Sequence, residues 1–241
     1  MTGATGQAAL LEEAGYALVP ALLSPEPLEE IAQSLGVWLG QGAGSRNLLM
    51  QPRCRDMALH LKAQLAGMGL LDHSAVAVQC TLFDKTADRN WLVALHQDTS
   101  IPASVRGPGA HMPTVTKEGE PYVQPPAGVL ASLLAVRMHL DDCGADAGPL
   151  RVVPGSHRVG RLGEAEAQAL RADRGEVTCI AARGDALVMR PLLLHASSRA
   201  RSPVRRRVLH FLFGPEDLPH GLAWNRTVAG TRCALQALQE N

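Results

Sequence analysis

Net charge is the first thing this chain lacks. Its 241 residues carry 23 Lys plus Arg against 23 Asp plus Glu, so no global field exists to hold nucleic acid or an acidic membrane surface. It also lacks any apolar run approaching the roughly 18 residues of a membrane span. The opening MTGATGQAALLEEAGY has neither the charged start nor the long apolar stretch of a secretory signal, which sets the expectation of a cytoplasmic protein. None of the five cysteines (Cys54, Cys80, Cys143, Cys179 and Cys233) forms a C-x-x-C pair. Scattered and odd in number, they read as free thiols, against a disulfide frame or a cysteine zinc site. P-loop, dinucleotide-binding and helix-turn-helix motifs are missing too. With no internal repeat and no linker, the expectation is one domain over 1–241.

What is present changes texture near residue 75. Before it, about 1–72 reads as helical. AALLEEAG gives a short helix stopped by Gly15. SPEPLEEIAQSLG offers Ser24 as cap, Pro25 in the first turn and Gly36 as the stop, and RCRDMALHLKAQLAG supplies a third helix. From about 75 to 215 come short β-rich runs: AVAVQCTLF, NWLVALHQD, SLLAVRMHLDD, PLRVVPG, EVTCIAA, DALVMRPLLLH and RRRVLHFLF. One helix interrupts them near GEAEAQALRADRG. Many short strands separated by Gly, Pro, Asp and Ser favour a barrel or sandwich with flanking helices over a βαβ sheet. Residues 100–128, rich in Pro and Gly, read as a long loop of the kind that serves as a lid.

His96 and Asp98 lie two apart at the end of an apolar run, so on a strand they share a face while Gln97 points away. An imidazole beside a carboxylate suits a divalent metal; it also suits a plain hydrogen-bonded pair. The H-x-D pattern occurs twice, at His96-Gln97-Asp98 and His139-Leu140-Asp141, so alone it decides little. The far segment GDALVMRPLLLHASSRARSPVRRRVLHFLF ends a strand in His195 and opens another with arginines. A histidine from there would complete a two-histidine, one-carboxylate set, which leaves half of an octahedral iron's positions open.

These segments, taken together, resemble the phytanoyl-CoA dioxygenase family of Fe(II)/2-oxoglutarate oxygenases. The resemblance covers nearly the whole chain: EAGYALVPALLSPEPLEEI, FDKTADRNWLVALHQD, AGPLRVVPGSHR and GDALVMRPLLLHASS…RRRVLHF occur in the family's order. It implies a double-stranded β-helix (jelly-roll, cupin-like) barrel with Fe(II), 2-oxoglutarate and O2 as cofactors. Carried over by position, it implies His96, Asp98 and His195 as iron ligands and makes His139-Leu140-Asp141 a decoy. It implies Arg206 as the grip on the distal carboxylate of 2-oxoglutarate, where a planar guanidinium can bind bidentately; neighbouring Arg205 and Arg207 are the competing choices. Ser197 would serve the same carboxylate, or merely cap a turn.

Other positions stay open. Gln79, Thr81, Phe83 and Lys85 alternate along one face of a strand, so Lys85 could meet 2-oxoglutarate, and Gln79 the substrate, or Lys85 could simply be solvated. Arg137 and His139 share a face of a later strand and could contact substrate or sit in a structural ion pair. His157 in PGSHR reads as ordering its turn, and Trp91 and Trp224 as packing residues. Ala147 before GPL and Leu95 before His96 depart from the family pattern beside the site. Related halogenases have a small residue at the position of Asp98, so its intact carboxylate implies hydroxylation or another oxygenase outcome and not halogenation. The expected substrate is a small molecule (an amino acid, a natural product or an acyl derivative), since the neutral chain shows no clear patch for the phosphates of coenzyme A. Two other readings are a jelly-roll binding protein without turnover and a cupin-like metalloenzyme that needs no 2-oxoglutarate.

Overall fold

The computed structural model describes residues 4–38, 45–106, 112–201 and 205–229. Helix α1 (Ala4–Ala14) stops where Gly15 turns to φ +85°. Helix α2 (Pro25–Trp38) runs two residues past the expected stop at Gly36, because a glycine inside a helix costs only about 1 kcal/mol. Helix α3 (Pro52–Gly67) starts on a proline in its first turn and buries Cys54, Met57, Ala58, Leu61 and Leu65. Two more follow, α4 (Ala127–Ala131) and α5 (Glu164–Arg174). In the first turn of α5, Glu166 accepts a hydrogen bond from the Gly163 N–H at 2.7 Å, satisfying an otherwise orphaned donor.

The strands are β1 (Tyr16–Val19), β2 (Val76–Lys85), β3 (Val93–His96), β4 (Ala103–Val105), β5 (Thr114–Lys117), β6 (Glu120–Val123), β7 (Leu134–His139), β8 (Leu150–Val152), β9 (Val177–Cys179), β10 (Ala186–Met189), β11 (His195–Ser197), β12 (Arg206–Gly214) and β13 (Leu222–Trp224). One antiparallel sheet runs β1-β10-β7-β12-β2 and a second β3-β11-β8-β9; β13-β4 and β5-β6 are separate pairs. The architecture is mainly β with flanking helices, a jelly roll. Its two sheets stack face to face, and among the described residues no strand pairing closes them into a continuous barrel.

Strand alternation divides the interior. Leu209, Phe211 and Phe213 of β12, with Cys80 and Leu82 of β2, pack against α1–α3 in one core. The opposite face of the large sheet packs on Leu150, Val152 and Cys179 of the small sheet, and that space holds the cavity. A bulge opposite Leu212 and Phe213 skips Val78 in the register. It swaps the parity of β2, so Val78 and Val76 join the inter-sheet core while Gln79, Thr81, Phe83 and Lys85 face the cavity.

Two sequence expectations need correction. DALVMRPLLLH is not one strand: the chain leaves the large sheet after Met189, turns through Pro191, which has no N–H for a ladder, and enters the small sheet at His195. Residues 100–128 are not one loop either. Ile101 pairs with Val123, and β5 and β6 form a hairpin. Glu118 and Gly119 both hold positive φ (50° and 79°), the geometry of the tight turn that matches strand twist. An Asn-Gly pair would have signalled it; Glu-Gly did not. Residues 107–111 and Cys233 lie outside the described residues, and the other four cysteines are buried and free.

Candidate metal centre and its cavity

His96 ends β3 and pairs in register with His195 at the start of β11. The strand stops there, so Asp98 lies just beyond it and is not a strand residue; its backbone N–H donates to the Pro191 carbonyl at 2.9 Å. Gln97 points away, as alternation demands. Its side-chain amide donates to the carbonyls of Gly160 (2.8 Å) and Leu192 (2.6 Å) and accepts from the Leu162 N–H (2.9 Å). That three-way anchor fixes the segment from which His96 and Asp98 project.

One ligand atom from each of His96, Asp98 and His195 lies within 4.8 Å of the others, and among the described residues they form the one such cluster. Nε2 of each imidazole is 3.8 Å from an Asp98 oxygen, and the rings sit 4.1 Å apart. Each imidazole Nδ1 meets a backbone carbonyl two residues back, Ala94 for His96 and Leu193 for His195, both at 2.8 Å. A carbonyl only accepts, so both Nδ1 atoms carry the proton and both Nε2 lone pairs are left for a metal. Burial pushes His195 down to about 4, keeping it neutral at neutral pH. The donor set, two imidazole nitrogens and a carboxylate on one side of an open space, fits a divalent transition metal.

The triad lies on the wall of a cavity of about 620 Å³ between the sheets, within the range for small-molecule sites. Across β12 the register sets Arg206 beside Lys85, and His210 between Thr81 and Arg137. Arg206 is 2 % exposed and faces the cavity with no partner for its buried Nε. Its neighbours are spoken for: Arg205 grips the buried Asp84 at 2.9 and 3.0 Å, and Arg207 grips Asp141 bidentately at 2.7 and 2.8 Å. Asp141 of the second H-x-D is therefore an ion-pair partner of Arg207. Lys85, 1 % exposed, donates to the Ser198 carbonyl (2.7 Å) and to Ser197 Oγ (3.3 Å). Burial first and the Arg206 charge second bring its amine down to about 8.

Gln79, Ser197 and Arg137 also line the cavity, with the Gln79 amide donating to Thr81 Oγ1 at 2.7 Å. His139 does not: it is 3 % exposed, in a row with Val208 and Phe83, and its buried Nδ1 has no partner. Trp91 does more than pack, since it walls the cavity with Lys85 Nζ 5.3 Å above its ring. Trp224 does pack, donating its indole N–H to the Pro215 carbonyl, and His157 ties its turn to the Glu12 carbonyl at 3.2 Å. Sequence reading missed Lys117 and Tyr122, which the β5–β6 hairpin brings to the wall, and His210. Strand alternation counted from Arg206, which puts His210 and Leu212 on its face, was the available signal for His210. For the hairpin there was none.

A family model described as phytanoyl-CoA dioxygenase (PhyH) matches residues 11–208. No curated protein sequence matches the chain. Among solved structures, the non-heme alpha-ketoglutarate-dependent epimerase SnoN from nogalamycin biosynthesis is similar at TM-score 0.67 and 16 % identity, over 95 % of this chain and 87 % of that one. AviO1 from Streptomyces viridochromogenes Tue57 gives 0.66 and 19 %, over 91 % and 98 %. HygX from Streptomyces hygroscopicus, with nickel, 2-oxoglutarate and hygromycin B bound, gives 0.60 and 18 %, over 87 % and 86 %. At these identities the likeness establishes a shared fold.

Proposed function

The chain belongs to the phytanoyl-CoA dioxygenase family, and we propose that it is an Fe(II)/2-oxoglutarate-dependent hydroxylase acting on an unactivated C–H of a small molecule. Fe(II), 2-oxoglutarate and O2 are the cofactors of that family. One domain over 1–241 would carry the activity, with His96, Asp98 and His195 holding the metal. The observation that carries this reading is the pairing of two features on one wall: three converging ligand atoms, and the buried, partnerless Arg206. Among the described residues the buried Nε of Arg206 has no acceptor and no carboxylate neutralises its charge, a cost that a bound anion would remove. When bound, the metal and co-substrate supply oxidising power, releasing succinate and CO2 and placing one oxygen atom on the substrate.

The chain's own residues do the positioning. Backbone carbonyls of Ala94 and Leu193 hold the imidazoles as the Nδ1–H tautomer. Arg206 offers its fork to the distal carboxylate, and Ser197 and Lys85, already joined, offer a hydroxyl and an ammonium beside it. Asp84 and Asp141 keep Arg205 and Arg207 off that carboxylate. The β5–β6 hairpin contributes Val115, Lys117 and Tyr122 to the cavity wall, and no side chain is required as a base.

Anaerobic titration of the apoprotein with Fe(II) and 2-oxoglutarate tests this. The expected result is a visible metal-to-ligand charge-transfer band, absent from Asp98→Ala and weakened in Arg206→Gln. Metal binding with no band would overturn the reading and favour a metalloprotein that does not use 2-oxoglutarate.

A further inference from the structure

The cavity carries more positive charge than the proposed chemistry uses. Among the described residues, Arg46, Lys85, Lys117, Arg137 and Arg206 line it, against Asp98 as the sole carboxylate on the wall. Glu118 engages Arg46 at 3.1 Å; among the described residues no carboxylate is paired with the other four. A divalent metal and the dianion of 2-oxoglutarate cancel, and Asp98 offsets one cation. The loaded cavity would still be strongly positive.

Arg206 and Lys85 are accounted for by the co-substrate. Arg137 is not. It stands opposite His210, four residues along β12 from Arg206, which at ~3.4 Å per residue sets the two positions about 14 Å apart along the strand. Its Nη1 meets His210 Nδ1 at 3.2 Å, and its guanidinium carbon sits 5.2 Å from the Phe83 ring centre. These contacts fix the orientation of the fork while occupying only part of it. Among the described residues the remaining N–H groups have no protein partner, yet they are not sealed in protein: they border the cavity. Lys117, held by Ser100 Oγ at 2.5 Å, adds a second cation from the hairpin.

The geometry points to a substrate that bears a carboxylate, seated on the free edge of Arg137 with Lys117 as its second positive contact. An immobilised guanidinium with an open edge is built for planar bidentate recognition. The cation excess gives an anionic ligand an advantage over its neutral counterpart. This rests on the oxygenase reading for the metal and co-substrate that share the cavity.

Calorimetry on the protein loaded with Fe(II) and 2-oxoglutarate without oxygen tests it, using fragment carboxylates paired with their primary amides: benzoate with benzamide, hexanoate with hexanamide. The carboxylate is expected to bind at least about tenfold tighter in a pair that binds, the scale of one charged hydrogen bond. Arg137→Gln removes that preference and leaves 2-oxoglutarate affinity within about twofold. Arg137→Lys restores part of it. Lys117→Gln weakens the carboxylate alone by about threefold. Arg206→Gln shows the reverse pattern, losing 2-oxoglutarate and keeping the preference. Amides binding as well as carboxylates, or no carboxylate binding, overturns the inference. So does an Arg137→Gln variant that loses 2-oxoglutarate as Arg206→Gln does. Failure of wild type to bind 2-oxoglutarate would sink the oxygenase reading instead, and the paired comparison on metal-loaded protein would still decide the role of Arg137.

Discussion

Replacing Arg206 with glutamine should stabilise the empty protein and at the same time weaken its response to 2-oxoglutarate. Arg206 is 2 % exposed, its Nε has no acceptor, and its register neighbour Lys85 is also a buried cation. An unmet buried donor costs about 1–3 kcal/mol, and two like charges in a poorly solvated space add to that. Glutamine keeps much of the volume, removes the charge and relieves Lys85. A gain of about 1–2 kcal/mol is expected, or roughly 2–4 °C in Tm for a chain of this size. With ligand present the sign reverses. A bidentate charged pair is made of two hydrogen bonds of about 1.5–3 kcal/mol each, so co-substrate affinity should fall by a factor on the order of 10² to 10⁴. Thermal unfolding of both proteins, metal-loaded and with or without 2-oxoglutarate, reads both effects. A variant that melts lower than wild type when empty, or that keeps the full ligand-induced rise in Tm, would refute the reasoning.

Other perturbations have equally definite outcomes. Asp84→Asn leaves Arg205 and Arg89 without the buried carboxylate that accepts from both; since both arginines reach water, urea unfolding should show a loss of about 1–3 kcal/mol, not the larger cost of a sealed charge. Gly148 holds φ +66°, and a Cβ there would lie 2.6 Å from the Ser198 carbonyl that anchors Lys85. Gly148→Ala should therefore lower both Tm and 2-oxoglutarate affinity, the latter measured by calorimetry. Burial holds His139 and His210 down to about 3, so from pH 6.5 towards 3 the unfolded chain binds protons that the native state refuses. Stability contributed by these groups is complete above about pH 6.5 and falls on acidification, by about 1.4 kcal/mol per pH unit for each histidine. His210→Asn should flatten that slope in pH-dependent urea midpoints, and an unchanged slope would contradict the assignment.

The sequence alone determined the periodic and the local. Alternation on β12 put Arg206, His210 and Leu212 on one face and Phe211 and Phe213 on the other, and the structure keeps that division. Spacing put His96 and Asp98 on one side of the chain and sent Gln97 to the other. Glycine marked the end of α1 because φ +85° is open to it at little cost. Whatever depended on which distant groups meet was decided by tertiary structure. Within RRR, strand parity alone did not separate Arg206, favoured by family position, from its competitors; Asp84 and Asp141, each more than sixty residues away, take Arg205 and Arg207 and leave Arg206 alone. Arg137 and His139 share a face in sequence, yet the sheet stacking opens the cavity to one and closes it to the other. The break at Pro191 looks like a strand interior, but it carries the chain from one sheet to the other and so delivers His195 to His96. Side-chain period follows from the geometry of a single strand. Pairing of charges and the position of an empty space follow from how strands are stacked, which no local pattern encodes.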